Sequence, residues 1–172
     1  NSAWNYLGIA MTYQVQGKIQ EAIDNYTRSI ELNRDVPHKS VGAYKNRASC
    51  YKQVDNFKLA EADYLQLIRL DEQFFQEEKS PKTLSQLLEA YHAIGNFYRD
   101  HNLFESALEN YNKIIESCAN VSPNLLTFEI LQKRISAHVQ VGKICQDWKK
   151  DRKTFDVALD NYNHAINLLE AI

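Results

Sequence analysis

Residues 44–64 read YKNRASCYKQVDNFKLAEADY. Within them Tyr44, Tyr51 and Tyr64 stand 7 and 13 residues apart, with Ala48 four and Ala60 sixteen residues after the first tyrosine. The same ruler recurs upstream as Tyr6, Tyr13 and Tyr26, with Ala10 and Ala22. It recurs downstream as Tyr91, Tyr98 and Tyr111, with Gly95 and Ala107. Nine of the ten tyrosines in the 172-residue chain therefore belong to three copies, and Tyr162 follows Ala158 by the interval that separates Ala22 from Tyr26. A fixed period of this kind signals a repeat architecture, in which stacked units bury a continuous core. Between the two small residues of each copy sit the turn formers Gly17, Asp55-Asn56 and His101-Asn102. The stretches QEAIDNYTRSIEL, KLAEADYLQLIRL and ESALENYNKIIES carry apolar residues at helical spacing, with acids toward their starts, where the helix dipole favours them. Each copy reads as helix, tight turn, helix, and the small residues let two antiparallel backbones approach with aromatic rings around them.

Composition narrows the function classes. Five glycines and three prolines are too few for a many-stranded sandwich or barrel and leave little for a Gly-rich nucleotide loop. Twenty Lys/Arg against 22 Asp/Glu give a net charge of −2, with no basic surplus for nucleic acid. No apolar run approaches the roughly 18 residues of a membrane span. The start, NSAWNYLG, lacks the basic and apolar regions of a signal peptide and an initiator Met, so the chain reads as part of a longer protein. Cys50, Cys118 and Cys145 cannot all pair and show no CxxC spacing, which points to a reducing compartment and a cytoplasmic location. His38, His92, His101, His138 and His164 are scattered, and neither an HExxH nor a GxSxG motif is present. The expectation is a chain with no catalytic residues, cofactor or metal site. The run Trp148-Lys149-Lys150-Asp151-Arg152-Lys153 reads as a solvated turn rather than a nucleic-acid contact.

The chain resembles the tetratricopeptide repeat family. The first copy carries that resemblance through Tyr6, Ile9, Ala10, Tyr13, Gly17, Ala22, Tyr26 and Ser29. The second does so through Tyr44, Ala48, Tyr51, Ala60 and Tyr64, and the third through Tyr91, Ile94, Gly95, Tyr98, Ala107 and Tyr111. A fourth, divergent copy matches in its second helix, TFDVALDNYNHAINLL, with Ala158, Tyr162 and Ala165. The resemblance implies an all-α, right-handed helical-hairpin solenoid of about eight helices. It is expected as a single domain over 1–172, with repeats at roughly 3–34, 41–72, 83–118 and 124–172. The intervals Tyr26–Tyr64, Tyr64–Tyr111 and Tyr111–Tyr162 are 38, 47 and 51 residues, so the segments between repeats are lengthened beyond the family's 34-residue period. Pro37, Ser80-Pro81 and Ser122-Pro123 mark those junctions, each Ser-Pro suiting an N-cap followed by the first helical residue. Thr83-Leu84-Ser85-Gln86 offers a capping box, and 71–80 prolongs the helix before it. The first helix of the last copy is expected from about Asn124 to Lys150. Bulky Leu67 and Ile114, where the family prefers small residues, are expected to alter the angle between repeats.

The family holds peptides or helices on an inner groove lined by the first helices. Helical phase away from the tyrosine stripe selects Trp4, Leu7 and Met11, then Lys45, Ser49 and Lys52, then His92, Asn96 and Arg99, and last Lys143, Asp147 and Lys150. This surface suits a protein or peptide partner with a hydrophobic end and acidic residues. Chaperone-binding members share a two-carboxylate clamp, of which only Asn46 is matched; Leu7, Met11, Glu89 and Ala93 occupy the other places, so a clamp is not expected. The function implied is an interaction scaffold or adaptor, with a regulatory domain of an enzyme in a longer chain as the alternative. The apolar C-terminal helix makes self-association a second use of the surface.

Overall fold

The computed structural model describes residues 2–148 and 152–170, and the described residues form eight α-helices. They are α1 (Ala3–Val15), α2 (Ile19–Leu32), α3 (Val41–Gln53), α4 (Phe57–Glu77), α5 (Pro81–Asp100), α6 (Phe104–Ala119), α7 (Phe128–Trp148) and α8 (Arg152–Glu170). Short 3-10 turns at Pro37–Ser40 and Pro123–Leu125 precede α3 and α7. Contacts divide the chain into two compact units, Asn1–Glu77 with α1–α4 and Glu78–Ile172 with α5–α8. The division falls at the second of the proline-marked junctions.

Three of the four helix pairs turn by the same device. Gly17, Asp55 and Asn102 take positive φ of 74°, 56° and 59°, the left-handed conformation that ends a helix. In each turn the amide five residues after the second tyrosine donates to that tyrosine's carbonyl. Lys18 N to Tyr13 O, Asn56 N to Tyr51 O and Leu103 N to Tyr98 O are all 2.9 Å. The chain reverses within three residues and lays the second helix against the first. In the third pair the ring of Tyr111 then packs against Gly95, and in the first Tyr26 shares a core cluster with Ala10. Tyr26 and Tyr111 are fully buried, as are Ala10, Ala22, Ala48, Ala60 and Ala107.

The junctions are less regular. Ser80 caps α5 as expected: its hydroxyl accepts from Thr83 N (3.3 Å) while Thr83 Oγ1 accepts from Ser80 N (3.2 Å). The capping box therefore lies at Ser80/Thr83, three residues before the expected Thr83/Gln86. Ser122 makes no side-chain cap, and Pro123 opens a 3-10 turn. The helix expected from about Asn124 starts at Phe128, where Thr127 Oγ1 accepts from Ile130 N (3.4 Å). Helix α4 does continue through 71–77. Its added turns bury Asp71 and set Phe74 edge-on to His38 of the Pro37 turn, ring centroids 5.4 Å apart.

Among the described residues of the first unit, a largely buried ion pair ties three helices together. Arg47 of α3 donates from Nε and Nη2 to the two carboxylate oxygens of Asp63 on α4 (2.8 and 2.7 Å) and from Nη1 to Thr27 Oγ1 on α2 (2.8 Å). Burial works against the guanidinium's charge, but the hydrogen bonds and charge of Asp63 outweigh it and hold Arg47 above its usual range. Removing one member leaves the other charged and buried. Asp63→Ala is expected to cost about 3–5 kcal/mol in urea unfolding and Arg47→Met with Asp63→Leu together much less. A loss under about 1 kcal/mol in Asp63→Ala would show the pair to be solvated.

Candidate functional site

In the first unit the expected site residues lie on neighbouring helices α1 and α3. Trp4 is 69% and Met11 49% exposed on α1, whereas Leu7 is half-buried and packs against the core around Ala10 and Tyr26. On α3, Lys45 is exposed, and Ser49 and Lys52 are half-buried. A polar chain crosses beneath them: the Asn46 side chain is bonded to the Tyr26 hydroxyl, which donates to Gln14 Oε1 at 2.6 Å. Burial pushes the Tyr26 hydroxyl up to about 12, Cys50 pushing the same way and Asn46 opposing, so it stays a donor at neutral pH. Helices α1 and α3, which pack against each other, thus carry an indole, a thioether and two ammonium groups.

In the second unit His92, Asn96 and Arg99 line up along α5 but are bound within the molecule. Tyr111 of α6 donates its hydroxyl to Asn96 Oδ1 (2.7 Å), which turns the amide nitrogen toward His92 Nδ1 (3.1 Å). His92 Nδ1 then accepts, so its proton sits on Nε2. The imidazole also meets the Tyr111 ring edge-on, centroids 5.8 Å apart. Arg99 donates to Gln140 Oε1 on α7 (2.8 Å) and pairs with Asp100 (2.9 Å). Lys133 pairs with Glu129 at 3.4 Å, and Glu129 accepts from Ser85 at 2.6 Å. The face of α5 that carries these residues is thus a hydrogen-bonded one, with Arg99 matched by Asp100. Between α5 and α7 opens a cavity of about 270 Å³ lined by Glu89, His92, Glu129, Gln132, Lys133 and Ser136. Lys143 and Asp147 are exposed on α7, and Lys150 lies outside the described residues.

Several organising residues went unread in the sequence. The residue before each wedge tyrosine is Asn25, Asp63, Asn110 or Asn161. The three asparagines donate to the carbonyl four residues back, at 2.7, 2.8 and 2.9 Å. In the fourth pair Asn161 Oδ1 also meets His138 Nδ1 at 2.9 Å, and because the amide nitrogen is committed to Val157, His138 must carry its proton on Nδ1. In the second pair the asparagine is replaced by Asp63, and Arg47 is there to match it. The recurring Asn/Asp-Tyr dipeptide was the available signal. The cysteines are all buried; burial pushes Cys50 and Cys118 up to about 11 and raises Cys145, so none is poised as a nucleophile. Among the described residues no group of three His, Cys, Asp or Glu side chains could hold a metal ion, and no helix is long and apolar enough to cross a membrane.

Paired helices around a tyrosine wedge define a helical-repeat protein. Family models described as tetratricopeptide repeat match residues 1–73 and 88–120, together more than half of the chain, and the chain belongs to the tetratricopeptide repeat family. Repeats of this family are protein-interaction modules. Protein unc-45 homolog B of Danio rerio is 26% identical over 125 residues, which is 72% of this chain and 12% of that protein. The chain thus spans about an eighth of the length of that relative. Among solved structures, BtubC from P. vanneervenii is similar with a TM-score of 0.72 at 16% identity, over 98% of this chain and 63% of that one. The first TPR of Spaghetti (RPAP3), solved bound to HSP90 peptide SRMEEVD, has a TM-score of 0.56 at 23% identity, over 87% of this chain and 94% of that one.

Two histidines are expected to make the second unit acid-sensitive. Burial, Arg99 and Lys133 hold His92 below the usual imidazole range, with Glu89 opposing. Burial, His164 and Arg134 lower His138 against the pull of Asn161. A folded-state value below the unfolded one means stability is complete above about pH 6.5 and is lost as pH falls through the folded values. The urea midpoint is expected to drop between about pH 7.5 and 5.5, and to drop less in His138→Gln. An unchanged midpoint across that interval would contradict the assignment.

Proposed function

We propose that the chain is a binding rather than a catalytic module, and that it takes a partner segment on the first helices of its pairs. The observation that supports this lies in the first unit, where α1 leaves Trp4 and Met11 exposed and the neighbouring α3 carries Lys45 and Lys52. Bulky apolar groups left in solvent and cations on the neighbouring helix suit a segment with an apolar anchor and acidic residues. The buried indole or aliphatic contact would supply most of the affinity and the lysines its orientation. That a structural neighbour was solved with a peptide supports the general mode. The ligand differs, because Leu7, Met11, Glu89 and Ala93 stand where a carboxylate clamp needs cations and amides.

Panning a random peptide library on the intact chain tests the reading. Enriched peptides should pair an aromatic or aliphatic residue with Asp or Glu, and should shift Trp4 fluorescence to the blue. Trp4→Ala should weaken them by about tenfold or more, and Lys45→Glu with Lys52→Glu by a similar factor, with helicity retained. Enrichment of basic peptides, or binding indifferent to all three changes, would contradict it. The peptide SRMEEVD is expected not to saturate the chain below millimolar concentration.

A further inference from the structure

Helix α8 carries an apolar face left open to solvent. Phe155, Leu159, Ile166 and Leu169 are 62, 50, 51 and 61% exposed. With half-buried Tyr162 they follow one another at intervals of 4, 3, 4 and 3 residues, the seam spacing of helices that pair lengthwise. The edge turned to α7 is marked by buried Ala158 and Ala165.

What such a face receives is visible elsewhere in the chain. Leu159 and Ile166 stand one and eight residues after Ala158, as Ile23 and Ile30 stand after Ala22 in α2 and Leu108 and Ile115 after Ala107 in α6. Ile23 is buried, and Ile30 packs on the same cluster, to which α3 contributes Ala43, Cys50 and Tyr51. Leu108 and Ile115 are half-buried on α6, which packs against α7. These positions are seats for a helix, and on α8 none of the described residues covers the seat.

We propose that its occupant is α8 of a second copy of this chain, lying antiparallel across a two-fold axis. The stripe reads nearly alike in both directions about Tyr162: Leu159 and Ile166 flank it at three and four residues, Phe155 and Leu169 at seven. A two-fold interface requires that self-complementarity. Side chains of this size, about half exposed, offer roughly 400–500 Å² per copy, so about 1,000 Å² in the pair, the lower end for a specific complex. Asp156 and Glu170 flank the stripe and approach each other across the axis, which keeps the association weak. A head-to-tail arrangement fits worse. The positions of α1 equivalent to Ala43, Arg47 and Cys50 of α3 are Asn5, Ile9 and Thr12, all exposed and two of them polar.

Sedimentation equilibrium of the intact chain, from about 5 to 500 μM, reads the association directly. The mass should rise from that of one 20.0 kDa chain toward twice that value. Leu159→Glu with Ile166→Glu, both at exposed positions, should keep the helicity and weaken association by about 100-fold. Leu159→Cys with Ile166→Cys should crosslink on mild oxidation at least about tenfold faster than either change alone. A mass that stays at one chain throughout, or a dimer that survives the glutamate variant, overturns the proposal. Faster crosslinking by Leu159→Cys alone overturns its antiparallel form.

Discussion

The structure depends on a tyrosine ring of the second helix packing closely against a small residue of the first. A Cβ built on Gly95 would stand 3.1 Å from Cε1 and Cζ of Tyr111, and one built on Gly142 would stand 2.7 Å from Cε1 of Tyr162. In the first two pairs alanine fits at the corresponding place. That contact sets how closely the two backbones approach, and the left-handed turn residues bring the second helix back in the right phase for it. The hydroxyls of Tyr26, Tyr111 and Tyr162 emerge on the far side and donate to Gln14, Asn96 and Gln146. One residue type therefore supplies core volume, inter-helix spacing and a hydrogen bond that orients an amide on the first helix.

The same wedge explains how much could be read from sequence. Spacing within a helix pair is local, so the tyrosine ruler, the small residues and the turns were legible from their intervals. The proline junctions were located, but their internal geometry was not. Whether Ser122-Pro123 starts an α-helix or a 3-10 turn is decided by competing caps a few residues apart, and Thr127 wins over Ser122. Charge pairing was the least legible level. Arg99 projects from the expected face of α5, yet its partners are Asp100 and a glutamine 41 residues downstream. Arg47 and Asp63 lie on facing helices, and the hints at the match are Asp63 in place of the asparagine of the other pairs and Arg47 where the first and third copies have Ile9 and Ile94.

Function follows from what the wedge leaves free. In each pair the tyrosine and small-residue stripe is consumed by the core, so binding falls to the residues a turn away. There the two units differ: the first exposes Trp4 and Met11, whereas the second spends His92, Asn96 and Arg99 on internal bonds. The helix-seat positions divide similarly among the described residues, since those of α2 and α6 pack against the helix that follows and those of α8 remain open. A repeat that builds its core from one rule can thus present different surfaces pair by pair.

The wedge is tested most directly by a double-mutant cycle between Gly95 and Tyr111, read as urea unfolding free energy. With the tyrosine present, Gly95→Ala should be neutral or destabilising, because the buried ring cannot yield. With Tyr111→Leu in place, the same change should stabilise by about 1 kcal/mol, the ordinary advantage of alanine over glycine within a helix. A coupling of about 1 kcal/mol or more is expected. Additivity within about 0.5 kcal/mol would show that the ring and the small residue do not set each other's place.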